Sequence, residues 1–282
     1  MKKLYLIILF LVILTITIVY HFFIPTKRYA IFAGYNQDET IPPYVITYLQ
    51  GLDEISDGII YITDSSLKPE EQAKLTPFNI IYQQHHRHNE YDWGSYKRGY
   101  LWLKENNLLK KTKELILAND SCIAPITSFV PMFKEMEKYP EISMWSNTQD
   151  RPLYPHLQSY FLVLRHNALN SSEFIELITS VTHQPHRTLY VDKYEISLSN
   201  KLKTRGFAIK SYIPQIRDKN IFQSPILYLT HTQNQFIKKK RLTTPLFIDY
   251  LKNNHPKTYE DILKSNLLPT GPLLTQPSDQ QL

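Results

Sequence analysis

Short apolar runs alternate with amphipathic, helix-length segments from residue 29 onward, and this alternation constrains the fold more than any other feature of the chain. The runs at 29–33, 58–62, 78–82 and 115–118 have strand length and are rich in Ile, Tyr and Phe. Between the first two, Val45, Ile46, Leu49 and Leu52 recur at the spacing of one helical face. Ser66, followed by Pro69, Glu70 and Glu71, reads as a helix start. Further helices are expected at 95–106, 128–138, 174–181 and 194–204, the last closed by Arg205-Gly206. Strands are expected at 142–145 and 160–164. Strands that alternate with helices build a mostly parallel sheet covered on both faces.

Ligands of such sheets bind beyond the carboxyl ends of the strands. Gly34, Asp64, the polar segment 89–99 and Asn119-Asp120 all fall at those ends, so the sequence predicts one shared crevice. With 282 residues the chain has room for one sizeable domain plus appendages. The single cysteine, Cys122, excludes an intramolecular disulfide framework and a cysteine-based zinc site. The formal net charge is +6. Its densest run, Lys238-Lys239-Lys240-Arg241, reads as a solvated surface, with anionic lipid head groups as the second reading. No nucleic-acid-binding module surrounds it. His85, His86 and His88 read as loop residues rather than a metal site. There is no Gly-x-Ser-x-Gly elbow and no P-loop.

Residues 4–24 form an almost unbroken apolar stretch. A span of about 20 such residues crosses a bilayer core. No small-residue cleavage site follows before Ala30, which favours a retained anchor over a cleaved signal. The expected organisation is an anchor at 1–28, a folded domain at 29–266 and a disordered tail at 267–282, where Pro269, Pro272 and Pro277 lie.

Two stretches carry chemistry. Asn119-Asp120-Ser121 tips a strand with one carboxylate, which suits magnesium or manganese bound through oxygen. Asn119 and Ser121 add polar contacts. In the stretch 89–99, Gly94 permits close backbone approach, Asp92 can accept hydrogen bonds from a nucleotide, and Lys97 can meet a phosphate. Departure of a diphosphate develops negative charge that a metal, basic side chains or helix amides must stabilise.

The ordered series Asn89, Asp92-Trp93-Gly94-Ser95-Tyr96-Lys97-Arg98-Gly99, Asn119-Asp120-Ser121, Pro125, Met132-Phe133, Met136, Trp145 and His156-Leu157-Gln158-Ser159-Tyr160 resembles the rhamnan synthesis F family of bacterial glycosyltransferases. The resemblance covers residues 29–212. It implies a GT-A-like, Rossmann-type mixed α/β sheet flanked by helices, a nucleotide-diphospho-sugar donor, a divalent metal (Mg²⁺ or Mn²⁺) and a cell-surface polysaccharide as product. In this comparison Asn119-Asp120-Ser121 takes the place of an Asp-x-Asp metal motif and keeps one of its two acids.

An inverting transfer needs a general base, and Glu195, at an acidic helix start, is the candidate, with Asp192 as its neighbouring alternative. Gly34, Asn36 and Asp64 are expected to join Asp92, Gly94, Lys97, Asn119 and Ser121 around the nucleotide. Trp145, His156, Gln158 and Ser159 are expected at the sugar or acceptor, against the plainer reading that Trp145 and Tyr160 pack in the core. Because nucleotide sugars are cytoplasmic, the domain is expected on the cytoplasmic side of a bacterial inner membrane, beside a lipid-linked glycan. The competing reading is a non-catalytic, membrane-tethered glycan-binding protein on a degenerate transferase scaffold.

Overall fold

The computed structural model describes residue 5 and residues 8–12, 25–150, 155–214 and 224–268. The expected anchor lies mostly outside the described residues, and among them no helix is long and apolar enough to cross a membrane. Residues 269–282 of the expected tail are also outside them. Its first two residues, Leu267 and Leu268, pack on the core.

The main sheet has seven strands. In chain order they are β1 (Lys27–Gly34), β2 (Gly58–Thr63), β3 (Ile80–His85), β4 (Thr112–Asn119), β6 (Ile142–Ser146), β9 (Phe161–Arg165) and β10 (Ala208–Ser211); the short strands β5 (Cys122–Ile123) with β11 (Ile237–Lys238), and β7 (Gln149–Asp150) with β8 (His156–Leu157), pair outside it. Across the sheet the order is β10-β6-β9-β4-β1-β2-β3. Every pairing is parallel except those of β9, which runs antiparallel to both β4 and β6. The expected mixed, mostly parallel sheet is present. The reversed strand has a functional consequence: its start, at Phe161, lies beside the carboxyl end of β4, with Ala118 opposite Phe161.

Alternation along β1 divides the core. Ala30 and Phe32 face one layer, which includes the helix Pro43–Asp53 and the helix Val130–Met136. Ile31 and Ala33 face the other, with the helices Tyr91–Glu105, Ser172–Thr179 and Ser197–Thr204. Gly99 sits where the helix Tyr91–Glu105 crosses the sheet; a Cβ there would lie 2.7 Å from the Ile31 side chain. The helix Ser197–Thr204 ends as expected on Gly206, whose φ of 85° suits a glycine cap. It begins differently, continuing a π-helical turn over Val191–Ile196.

Strand β4 bears two buried acids. Glu114, near its start, is held between Arg28 and Arg165, at 2.7 and 3.2 Å. Asp120, just past its end, faces a cavity.

Candidate active site

The carboxyl ends of β1, β2 and β4 open into a cavity of about 540 Å³. Gly34, Asp64, Asp120 and Ser121 line it from the sheet. Asn89, Asp92 and Ser95 line it from the loop and helix that follow β3, Gln184 from a later loop, and Arg187 from the start of the short helix Arg187–Tyr190. Lys238, Lys239 and Lys240 complete the lining.

Asp120 is 7 % exposed. Its Oδ2 accepts long hydrogen bonds from Tyr35 N (3.3 Å), Tyr44 Oη (3.3 Å) and Lys239 Nζ (3.4 Å). Burial pushes this carboxyl above the usual range, against the pull of Lys239 and of these hydrogen bonds. Asp92 faces the same cavity from the first turn of its helix and accepts from Asn119 Nδ2 at 2.8 Å. Burial, reinforced by the Asp120 charge, pushes the Asp92 carboxyl up to about 7, although Arg187, Lys238 and Lys239 oppose the shift. The sequence motif keeps one acid, and the fold brings a second to the same cavity.

The basic run is the principal correction to the sequence reading. It is an arm along the cavity on which Lys238 is buried and Lys239 half-buried, and only Lys240 is exposed as a solvated surface would be. Strand β5 (Cys122–Ile123) follows the Asp120 tip, and β11 (Ile237–Lys238) pairs with it antiparallel, setting Lys238 opposite Cys122. Lys239 N then donates to Ser121 O at 3.2 Å. Lys238 Nζ sits 3.6 Å from the centroid of the Tyr160 ring, a cation–π contact. Arg187 also lines the cavity, and no carboxylate among the described residues forms an ion pair with it.

Asp64 fixes the loop after β3. Its Oδ1 accepts from the backbone N–H of His88 at 2.5 Å and of Asn89 at 3.0 Å. Asn89 and Tyr91 both take left-handed backbone angles, with φ of 56° and 51°. That conformation is common for Asn and costly for Tyr. It directs the chain into the helix Tyr91–Glu105 and leaves Asp92 and Ser95 on the cavity wall.

Gly34, Asp64, Asp92, Asp120 and Ser121 therefore line one cavity. Asn119 positions its neighbours: its amide nitrogen holds Asp92, and its Oδ1 accepts from Ser121 N at 3.0 Å and Ser121 Oγ at 2.6 Å. Asn36 lines an adjoining cavity of about 600 Å³. There its side chain braces its own turn, through Asp38 N and Thr40 Oγ1 at 3.0 Å each.

Other expectations are overturned. Gly94 does not offer its backbone to a ligand, because Glu90 and His88 fill the place of its missing Cβ. Lys97 donates to Val181 O at 2.7 Å, tying its helix to the segment before the Gln184 loop. Trp145 is fully buried against Phe133 and Phe161, so its ring faces no sugar. Gln158 is buried and accepts from Thr148 Oγ1. His156 and Ser159 are bound to Glu195: His156 Nε2 contacts Oε1 at 3.0 Å, and Ser159 N and Oγ donate to Oε2. Burial works to raise the Glu195 carboxyl, but these hydrogen bonds prevail and hold it below the usual range. A carboxylate so satisfied is a poor base, and Glu195 does not line the cavity.

A divalent metal suits the donor chemistry here. Magnesium commonly takes one or two carboxylates and completes its shell with water and phosphate oxygens. Asp120 offers a buried carboxylate whose protein hydrogen bonds are all long. Among the described residues, no group of three or more His, Cys, Asp or Glu is placed to hold a metal.

The fold and cavity define a mixed α/β protein with an acid-tipped strand and a basic arm across its ligand crevice. The chain belongs to the rhamnan synthesis protein F family, which matches residues 59–263. Membership bears out the family read from the sequence and supports a nucleotide-sugar-dependent glycosyltransferase. No curated protein matches the chain. Solved structures with some likeness include core-mannan synthase A from Aspergillus fumigatus in its Mn/GDP form, at 9 % identity and a TM-score of 0.38, covering 63 % of this chain and 70 % of that one. A Pyrobaculum calidifontis mannosyltransferase, in complex with GDP-Man and Mn²⁺, is 10 % identical with a TM-score of 0.40, covering 86 % and 69 %. A cytidylyltransferase from Leptospira borgpetersenii is 10 % identical with a TM-score of 0.43, covering 89 % and 100 %. None of the three reaches a TM-score of 0.5, and the identification stands on the family match.

Proposed function

We propose that the chain is a glycosyltransferase that moves a sugar from a nucleotide-diphospho-sugar to a growing cell-surface polysaccharide. One observation carries the reading: Asp120 and Asp92 share a cavity with Arg187 and the Lys238–Lys240 arm, at the carboxyl edge of the sheet. Acids next to an excess of cations suit a diphosphate joined to hydroxyl-bearing groups. The cations stabilise the charge that develops on the leaving phosphate, and in a partly buried site they are worth more than in water. Asp120 would hold a magnesium or manganese ion, which when bound adds to that stabilisation.

Asp92 takes over the role first given to Glu195. It faces the cavity, and a carboxyl titrating near neutral pH is matched to accepting a proton from an acceptor hydroxyl. Glu195 instead braces the turn that leads into β9. Rhamnose is the sugar that the family name suggests, and a lipid-linked glycan is the acceptor. With the expected anchor at 1–28, the catalytic domain would stand at the cytoplasmic face of a bacterial inner membrane.

The test is release of nucleoside diphosphate from a panel of nucleotide sugars by the purified full chain, with magnesium or manganese and a lipid-linked acceptor. Turnover that Asp120→Ala abolishes supports the proposal. If no donor turns over and no nucleoside diphosphate raises the melting temperature, the site reading fails and the glycan-binding alternative takes its place.

A further inference from the structure

Ser95, on the cavity wall, is paired with the buried side chain of His88 behind it, and neither has a part in the proposed transfer. His88 Nε2 lies 2.9 Å from Ser95 Oγ. On the other side of the ring, the Glu90 backbone N–H donates to Nδ1 at 3.2 Å. A nitrogen that accepts a hydrogen bond carries no proton, so a neutral ring has its proton on Nε2. The His88 side chain is 1 % exposed. Burial lowers its pKa to about 4, with the Asp64 and Glu90 charges opposing and the Arg98 charge assisting, so the ring is neutral at pH 7. His88 therefore donates, and Ser95 Oγ accepts.

The sequence Asp64, His88, Ser95 has the composition of a hydrolytic triad, but its polarity is reversed. A catalytic triad needs a histidine nitrogen free to take the serine proton. Here that nitrogen already bears a proton. Asp64 Oδ1 lies 3.8 Å from His88 Nδ1 and is engaged with the backbone N–H groups of His88 and Asn89.

The consequence falls on the Ser95 hydroxyl. Ser95 is 1 % exposed and lines the cavity, and its side chain has no other hydrogen-bond partner among the described residues. Its own proton is left to donate. We infer that Ser95 donates this proton to a phosphate oxygen of the bound nucleotide, and that His88 is the positioning residue that fixes the hydroxyl as a donor. A phosphate oxygen accepts and does not donate, which matches a hydroxyl whose acceptor side is occupied. Arg187 and Lys239 on the same cavity favour the same anion. The inference rests on the nucleotide-site reading and assigns a specificity role within it.

Calorimetric titration of the full chain tests it, with nucleoside diphosphates and the matching nucleosides as probes. For the diphosphate that binds the wild type, Ser95→Ala should weaken binding roughly tenfold or more, the effect of losing one hydrogen bond to a charged oxygen. Nucleoside binding should not change, and Ser95→Thr should restore the diphosphate affinity. Nitrogen-15 spectra of histidine-labelled protein, with His88→Asn used for assignment, should show His88 neutral and protonated on Nε2 at pH 7. Ser95→Ala binding the diphosphate within twofold of wild type overturns the inference alone, as does an Nδ1-protonated His88. A wild type that binds no nucleoside diphosphate overturns the nucleotide-site reading and this inference with it.

Discussion

Lys239 Nζ stands 3.4 Å from Asp120 Oδ2 and 2.7 Å from Tyr44 Oη, so the carboxylate at the tip of β4 shares its wall with a lysine from the far end of the chain. The ammonium and a divalent ion would compete for one acid. Lys239→Gln should therefore bind Mn²⁺ more tightly than wild type without nucleotide, and bind nucleoside diphosphate several-fold more weakly. Manganese titration followed by electron paramagnetic resonance, alongside nucleotide calorimetry, checks both halves. Unchanged affinity for both ligands would remove Lys239 from the site.

Asp92 gives a pH-dependent stability. Its carboxyl is pushed up to about 7 in the fold, from an ordinary value of 3.8. Between these values the native state holds a proton that the unfolded state has released, so the contribution to stability is lost as pH rises. Asp92→Asn lacks this titration. The melting temperature of the variant, relative to wild type, should rise from pH 4 to pH 7 and level off above it. A difference that stays flat with pH contradicts the assignment.

Glu195 is expected to behave as a structural acid. Glu195→Ala removes the hydrogen bonds that His156 and Ser159 make to this carboxylate, a loss of about 2 kcal/mol. In a domain of this size that lowers the melting temperature by roughly 4–8 °C. Transfer activity per folded molecule should fall less than tenfold, where loss of a general base costs on the order of a hundredfold or more. Thermal melts and initial rates on the same preparation separate the two roles.

Glu114 provides a contrast at the opposite end of β4. It is 2 % exposed and paired with Arg28 and Arg165. Glu114→Ala leaves Arg165 without a carboxylate and Arg28 with only the exposed Glu137, at 3.6 Å, and should cost about 3 kcal/mol in urea unfolding without changing nucleotide affinity. Near-wild-type stability would show that water already screens these arginines.

The strands β1, β2 and β4 could be read directly from the sequence, because each is a buried apolar run of strand length. Asp120 could be read for the same reason: it follows such a run. The reversal of β9 could not, since an apolar run records burial and not direction. Lys238 to Lys240 were misread because a charge run looks solvated unless its partner is known, and that partner, β5, lies more than a hundred residues earlier. Trp145 and Lys97 were misread because residue type shows what a side chain can bind and not which way it points. The placement of Asp92 in the same cavity as Asp120 depends on the loop angles at Asn89 and Tyr91, which periodicity does not show.

Calorimetric titration of a nucleoside diphosphate panel into the wild type and the Arg187→Ala/Lys239→Gln double variant tests directly whether the cavity at the end of β4 takes a nucleoside diphosphate. At least one nucleoside diphosphate should bind the wild type, and the folded double variant should bind it at least tenfold more weakly, as expected when hydrogen bonds to charged oxygens are lost. No binding of any nucleoside diphosphate to the wild type, with or without magnesium or manganese, or a double variant that binds as tightly as the wild type, would contradict a diphosphate site in this cavity.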